Sequence, residues 1–205
     1  MQSSPSNDDT GGSKEPSLAS RGALKLQAAL DAFALSPAGF VCADFGCSTG
    51  GFTDCLLRAG AARVYSIDTA YGQLAWRLRN DPRVVVMERT NALHATPPEA
   101  VDLVVADMGW TPQRLLVPAA VSWLKPEGRI ITLVKPHYEV PKSDLPRGGV
   151  LDPADAERIT RGVIDTLPSF GVRVLGWVQS PILGGATKAG KGRGNPEWLA
   201  LLARA

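Results

Sequence analysis

Cysteine and histidine are scarce in this chain, with three of the first and two of the second among 205 residues. The cysteines, Cys42, Cys47 and Cys55, do not follow the spacing of a zinc site, so no metal is expected. An odd set of thiols with no secretory leader points to reduced cysteines and a cytoplasmic protein. Long apolar runs are also missing. Nothing approaches the roughly 20 residues of a membrane-spanning helix, which argues against a membrane partner. Nor does one sign of charge dominate: 22 Lys and Arg face 20 Asp and Glu, a net charge of +2. Any surface for nucleic acid must therefore be local. Residues 1–19 are polar, without aromatics and with almost nothing to bury, and read as a disordered tail. The remainder, 20–205, has the size of one domain.

What is present is an alternation of apolar runs and helical patterns. Strands are expected at 40–45, 63–67, 83–87, 101–106, 129–134, 172–179 and 197–203. Helices are expected at 21–35, capped by Ser20, and at 52–59, 72–80 and 153–167. The last opens on Asp152-Pro153, an N-cap followed by a first-turn proline. A helix starting at Thr111-Pro112 meets Pro118, where a kink or split is expected. This order predicts an α/β fold, a mostly parallel central sheet with helices on both faces. The segment 184–194 is too rich in glycine for a helix, so the last two strands are expected to form an antiparallel hairpin.

The stretch DFGCSTGGF, 44–52, is a strand, a glycine turn and a helix start, the arrangement at which doubly wound folds bind nucleotides. Its glycines fall at 46, 50 and 51. That spacing matches neither the dinucleotide fingerprint nor the P-loop, which argues against a dehydrogenase or an NTPase. Charged residues close the other strands: Asp68 after the second, Glu88-Arg89-Thr90-Asn91 after the third, Asp107 after the fourth and Lys135 after the fifth. The carboxyl ends of parallel strands are where ligands bind in such sheets. Lys25 lies at the edge of the apolar stripe of the first helix, a place where lysines ordinarily snorkel into solvent.

These segments carry a family resemblance. SRGALKL (20–26), the block from Asp44 to Ala92, LVVADM (103–108), LVKPHYEV (133–140) and GNPEW (194–198) resemble the FtsJ class of RNA ribose 2′-O-methyltransferases, most nearly the TlyA type that modifies ribosomal RNA. The resemblance implies a Rossmann-like class I methyltransferase fold with S-adenosyl-L-methionine in the glycine loop. It places Asp44, Gly46, Gly50, Gly51 and Phe52 around the cofactor, Asp68 on its ribose, Asn91 by the adenine and Asp107 at the reacting end. It also implies a catalytic tetrad of Lys25, Asp107, Lys135 and Glu197. In that tetrad Lys135 is the expected base, a neutral amine favoured by burial beside Lys25, with the two carboxylates orienting the lysines and the hydroxyl. RNA, with ribosomal RNA foremost, is the implied partner.

Arg21, Lys188, Lys191 and Arg193 are the candidate RNA contacts, although cations on a glycine loop are as often merely solvated. Trp110, in a stretch that departs from the TlyA wording, reads either as a base-stacking surface or as a core side chain. Cys47 stands where the family has alanine. TlyA-type chains begin with an S4 RNA-binding domain, which is expected to be lacking here. That expectation leaves an alternative: a non-catalytic RNA- or cofactor-binding assembly factor on the same fold. The haemolysin label attached to the type would suggest membrane activity, but no strongly cationic amphipathic helix supports it.

Overall fold

The computed structural model describes residues 18–184 and 194–205. Its strands are β1 Val41–Phe45, β2 Arg63–Ile67, β3 Val84–Met87, β4 Val101–Ala106, β5 Leu124–Val134, β6 Val172–Gln179 and β7 Trp198–Arg204. They form one sheet in the order β3-β2-β1-β4-β5-β7-β6. The first five pair in parallel, and β7 slots between β5 and β6, antiparallel to both. The order reverses at β1 and β4, so a crevice opens beyond their carboxyl ends.

Among the described residues the α-helices are α1 Gly22–Ala32, α2 Gly51–Arg58, α3 Trp76–Arg79, α4 Gln113–Trp123, α5 Pro136–Glu139 and α6 Pro153–Thr166. Period-two alternation along the strands divides the core into two layers. Cys42, Val64, Leu103, Val105, Ile131 and Leu133 meet Leu26 and Leu30 of α1 and Leu56 of α2 on one face. Ala43, Phe45, Ile67, Val104 and Ile130 meet Leu116 and Trp123 of α4 and Ile164 of α6 on the other. Trp123 is fully buried, edge-on to Phe45 at 5.2 Å.

Four sequence expectations are corrected. α4 runs through Pro118 without splitting. The proline removes one backbone donor, but Leu116, Val117, Ala120 and Trp123 are buried along the helix and hold both halves down. The helix expected at 72–80 contracts to α3, because Gly72 turns at φ +73° and Ala75 N–H is drawn to Thr49 O at 3.2 Å. β5 begins at Leu124, five residues early, with a register irregularity between its Leu124–Val101 and Arg129–Leu103 pairs. α1 ends at Ala32, three residues short of the expected end. At its start Arg21 already has helical backbone, and the Ser20 hydroxyl accepts from Gly22 N–H at 3.2 Å, as a capping serine does. The Asp152 cap on α6 is present and accepts from Ala154 N at 2.9 Å.

Ahead of α1, Ala19 N–H donates to Asp54 Oδ2 of α2 at 2.9 Å. Arg77 and Arg58 hold the same carboxylate, which keeps it ionised well below the usual range despite burial.

Candidate active site

The glycine loop joins β1 to α2. Gly46 has φ +81°, and a Cβ there would stand 2.9 Å from the Asp107 carbonyl oxygen, so the β1 and β4 ends can meet only at glycine. Gly50 has φ +94° and packs under Leu74 and Leu78. The Asp68 carboxylate ties the loop to β2, accepting from Ser48 N–H and from Ala70 N–H, each at 2.8 Å.

Asp44 has no exposure. Its Oδ2 accepts from Thr53 N–H at 2.9 Å and from Thr53 Oγ1 at 2.7 Å, and that hydroxyl also meets Ser66 Oγ at 2.8 Å. Its Oδ1 has no hydrogen-bond partner among the described residues. Burial pushes this carboxyl up to about 7, against the opposing pull of the Thr53 bonds.

A cleft of about 710 Å³ opens above the loop. Arg21, Lys25, Asp44, Gly46, Gly51, Phe52, Asp68, Asn91, Asp107 and Lys135 all lie along it. Gly50 sits behind the loop, and Glu197 enters through its bond to Lys25. Asn91 uses its side-chain oxygen to cap Leu93 N–H at 3.0 Å, which fixes the segment beside the cleft.

Two ion pairs stand at one end. Lys25 Nζ meets Glu197 Oε2 at 2.5 Å, with 11% and 3% of the side chains exposed. Lys135 Nζ meets Asp107 Oδ1 at 2.5 Å and donates to Met108 O at 3.2 Å. The four residues are Lys25 of α1, Asp107 and Lys135 just after β4 and β5, and Glu197 just before β7. The antiparallel pairing of Val134 with Trp198 sets the residue after one beside the residue before the other. Burial raises the Glu197 carboxyl above its ordinary value, and the Lys25 cation opposes that rise. Gly184 packs directly on this carboxylate, and Ser180 N–H donates to Glu197 O at 2.8 Å.

Tyr138 and His137 were not singled out from sequence, whereas Trp110 was. The Tyr138 ring lies 5.4 Å from Lys135 Nζ, one helical turn on from it. Trp110 stacks on Tyr138 at 4.5 Å and 31°, with φ +54°, and Lys142 Nζ sits 5.0 Å over its ring. Trp110 is 66% exposed, which excludes the core reading. His137 is held down to about 4 by burial and then by the Lys135 cation, and so is neutral near pH 7. The i to i+3 spacing of Lys135 and Tyr138 was the available signal. Lys188, Lys191 and Arg193 lie outside the described residues. Among the described residues no three His, Cys, Asp or Glu side chains gather to hold a metal, and no helix is long and apolar enough to cross a membrane.

Comparison with known proteins bears on this site. A family model for FtsJ-like methyltransferases matches residues 18–188. The 16S/23S rRNA (cytidine-2′-O)-methyltransferase TlyA of Mycobacterium tuberculosis is 48% identical over 169 residues, covering 80% of this chain and 63% of that protein. The chain thus spans less than two thirds of that relative. A solved structure from Streptococcus thermophilus, designated a hemolysin, superposes with a TM-score of 0.84 at 34% identity, covering 95% of this chain and 70% of the other. The N-methyltransferase NodS of Bradyrhizobium japonicum, in complex with S-adenosyl-L-homocysteine, shares the fold alone: TM-score 0.57, 18% identity, 87% and 85% covered.

Proposed function

Because this chain belongs to the FtsJ-like methyltransferase family, we propose that it transfers a methyl group from S-adenosyl-L-methionine to a ribose 2′-hydroxyl of RNA, with ribosomal RNA as the substrate class. The observation that carries this reading is the pair of lysine–carboxylate contacts at one end of a cleft whose other wall is a glycine loop.

The residues fit the cofactor. A cleft of about 710 Å³ is ample for a nucleoside joined to an amino acid. Gly46 leaves the backbone bare where a Cβ would intrude, and Asp68 and Asn91 stand at the ends of β2 and β3. The unpartnered Asp44 Oδ1 suits a cationic group. S-adenosyl-L-methionine would supply an activated methyl electrophile.

The chain's own residues then have two tasks. They must align the hydroxyl with the methyl, and they must remove its proton. Lys135 in its amine form takes the proton from the 2′-oxygen, and Asp107, already in contact, stabilises the ammonium ion that results. Lys25 and Glu197 hold the hydroxyl's other side. The exposed Trp110 face, backed by Tyr138 and flanked by Lys142, offers a stacking surface for the acceptor base. Arg21 at the rim is placed for a phosphate.

Nucleoside mass spectrometry after incubation with S-adenosyl-L-methionine and unmodified ribosomal subunits or their free RNA tests the reading. A new 2′-O-methylnucleoside is expected, and Lys135→Ala should abolish it. Cofactor binding without any methylated product would favour a non-catalytic binding role. Full activity in Lys135→Ala would remove Lys135 as the base.

A further inference from the structure

The Lys135–Asp107 contact joins two stretches of chain that leave the sheet side by side. Ala106 and Thr132 are the last residues of β4 and β5 paired in register. Beyond them β4 gives way at Asp107 and β5 at Lys135. Lys135 leads into α5, a single turn of four residues that is too short to hold its shape alone. What fixes this turn against the end of β4 is a network behind the cleft. Gln113, the first residue of α4, is 2% exposed. Its Nε2 donates to Leu133 O at 3.2 Å, and its Oε1 accepts from Thr132 Oγ1 at 2.8 Å. Its backbone N–H donates to Glu139 Oε1, at the end of α5, at 2.9 Å. The N-cap of α4 is Pro112, which has no side-chain acceptor, so a carboxylate 26 residues further along the chain takes the place of a cap. Its negative charge also suits the positive end of α4. Lys135 thus lies between Leu133 and Glu139, the two points at which Gln113 grips its chain.

We propose that Glu139 is a positioning residue for methyl transfer: by capping α4 at Gln113 it holds the turn that carries Lys135 against Asp107. Glu139 lies outside the cleft, so it acts through Lys135 and not on cofactor or RNA. The assignment rests on the methyl-transfer reading above for its effect on rate, and on the hydrogen bonds alone for its effect on Lys135. The same brace closes the stretch from Asp107 to Gln113, which includes Met108, whose carbonyl accepts from Lys135 Nζ at 3.2 Å. Losing the Glu139 bond frees one end of α5 and leaves the first N–H of α4 without its acceptor. Lys135 then keeps its partner only part of the time, and the base is out of line when the hydroxyl arrives.

Three variants of the full chain test this. Glu139→Ala removes the acceptor, Glu139→Gln keeps an oxygen that can accept from Gln113 N–H, and Thr132→Val breaks the network from β5 without touching α5. With S-adenosyl-L-methionine and ribosomal subunits, Glu139→Ala and Thr132→Val should lower kcat by about 10- to 100-fold, the effect of a displacement near 1 Å at a reacting group. The dissociation constant of S-adenosyl-L-methionine should not change, and Glu139→Gln should recover most of the lost kcat. Lysine side-chain nitrogen NMR gives a second readout that needs no activity, since an ammonium group held in a buried contact exchanges its protons slowly. Lys25→Met and Lys135→Ala assign the two resonances. In Glu139→Ala and Thr132→Val the Lys135 resonance should broaden into exchange, while that of Lys25 stays sharp because Glu197 lies outside the network. A Lys135 resonance that stays sharp in both variants overturns the proposal, as does an unchanged kcat in both. An equal loss of kcat in Glu139→Gln and Glu139→Ala also overturns it, because the bond to Gln113 would then not be the cause. Absence of any methylated product from the unaltered chain overturns the methyl-transfer reading instead, and the resonances still decide whether Glu139 holds Lys135.

Discussion

Replacing Lys25 by methionine tests whether the tetrad is an electrostatic unit or a set of independent side chains. The Lys25–Glu197 contact is 2.5 Å long, and both side chains are nearly inaccessible. At an effective dielectric near 20, the gross attraction at that distance is roughly 6–7 kcal/mol. Most of it is offset by desolvation, and removing one partner from such a buried pair costs about 3–5 kcal/mol. For a domain of this size each kcal/mol shifts the melting temperature by about 2–4 °C, so Lys25→Met should lower it by roughly 10 °C near pH 8.

The loss depends on pH in a defined sense. Glu197 already sits above its ordinary value because of burial, and removing the Lys25 cation takes away the larger part of what opposes that rise, leaving only the pull of Lys135. A carboxyl raised in the folded state gives up stability as pH climbs from the unfolded value, near 4.3, through the folded one. Lys25→Met should therefore be most nearly normal at pH 5 and worst at pH 8. Lys25→Met combined with Glu197→Leu removes the uncompensated charge and should recover most of the melting temperature, with methyl transfer still abolished. Thermal unfolding across pH 5–8 for the two single variants and the double one is the assay. A Lys25→Met loss under about 1 kcal/mol, or a double variant no more stable than Lys25→Met, would refute the reasoning.

Gly46→Ala should cost roughly 1–2 kcal/mol through its positive φ alone, and more through the clash with Asp107 O, with cofactor affinity falling further than stability; calorimetric titration beside a melting curve separates the two. Trp110→Ala should raise the KM for RNA by roughly 5- to 150-fold, the equivalent of about 1–3 kcal/mol of base stacking, and leave cofactor affinity unchanged. Pro118→Ala should raise the melting temperature by a few degrees, since it restores a helical donor facing Arg114 O; a drop would show that the proline is needed for packing.

The sequence was informative wherever the chemistry was local. The β1–glycine–α2 unit, the acids after β2 and β4 and the Asp152 cap are properties of short segments: the fold forms the unit, sets both acids along the cleft and caps α6 with Asp152. It was less informative where tertiary packing decides. Pro118 breaks isolated helices, but here its neighbours are buried on the sheet and hold the helix together. Whether Trp110 was core or surface could not be read from its type, because an exposed tryptophan stacked on Tyr138 and a buried one look alike in one dimension. Asp44 was legible as a candidate at the end of β1, but its unequal oxygens were not, since that asymmetry depends on Thr53 and Ser66 arriving from two other elements.

The insertion of β7 between β5 and β6 has a consequence in time. The glycine loop, Asp68 and Asn91 lie within one contiguous stretch, and β1, β2 and β3 pair with near neighbours in the chain. The Lys25–Glu197 contact closes a span of 172 residues and cannot form until β7 has found its slot. Closing so long a span is entropically slow compared with local pairing. A refolding chain is therefore expected to hold a nucleoside-shaped pocket before it holds four aligned charges. Competence for methyl transfer would arrive last, as a signature that the sheet is complete.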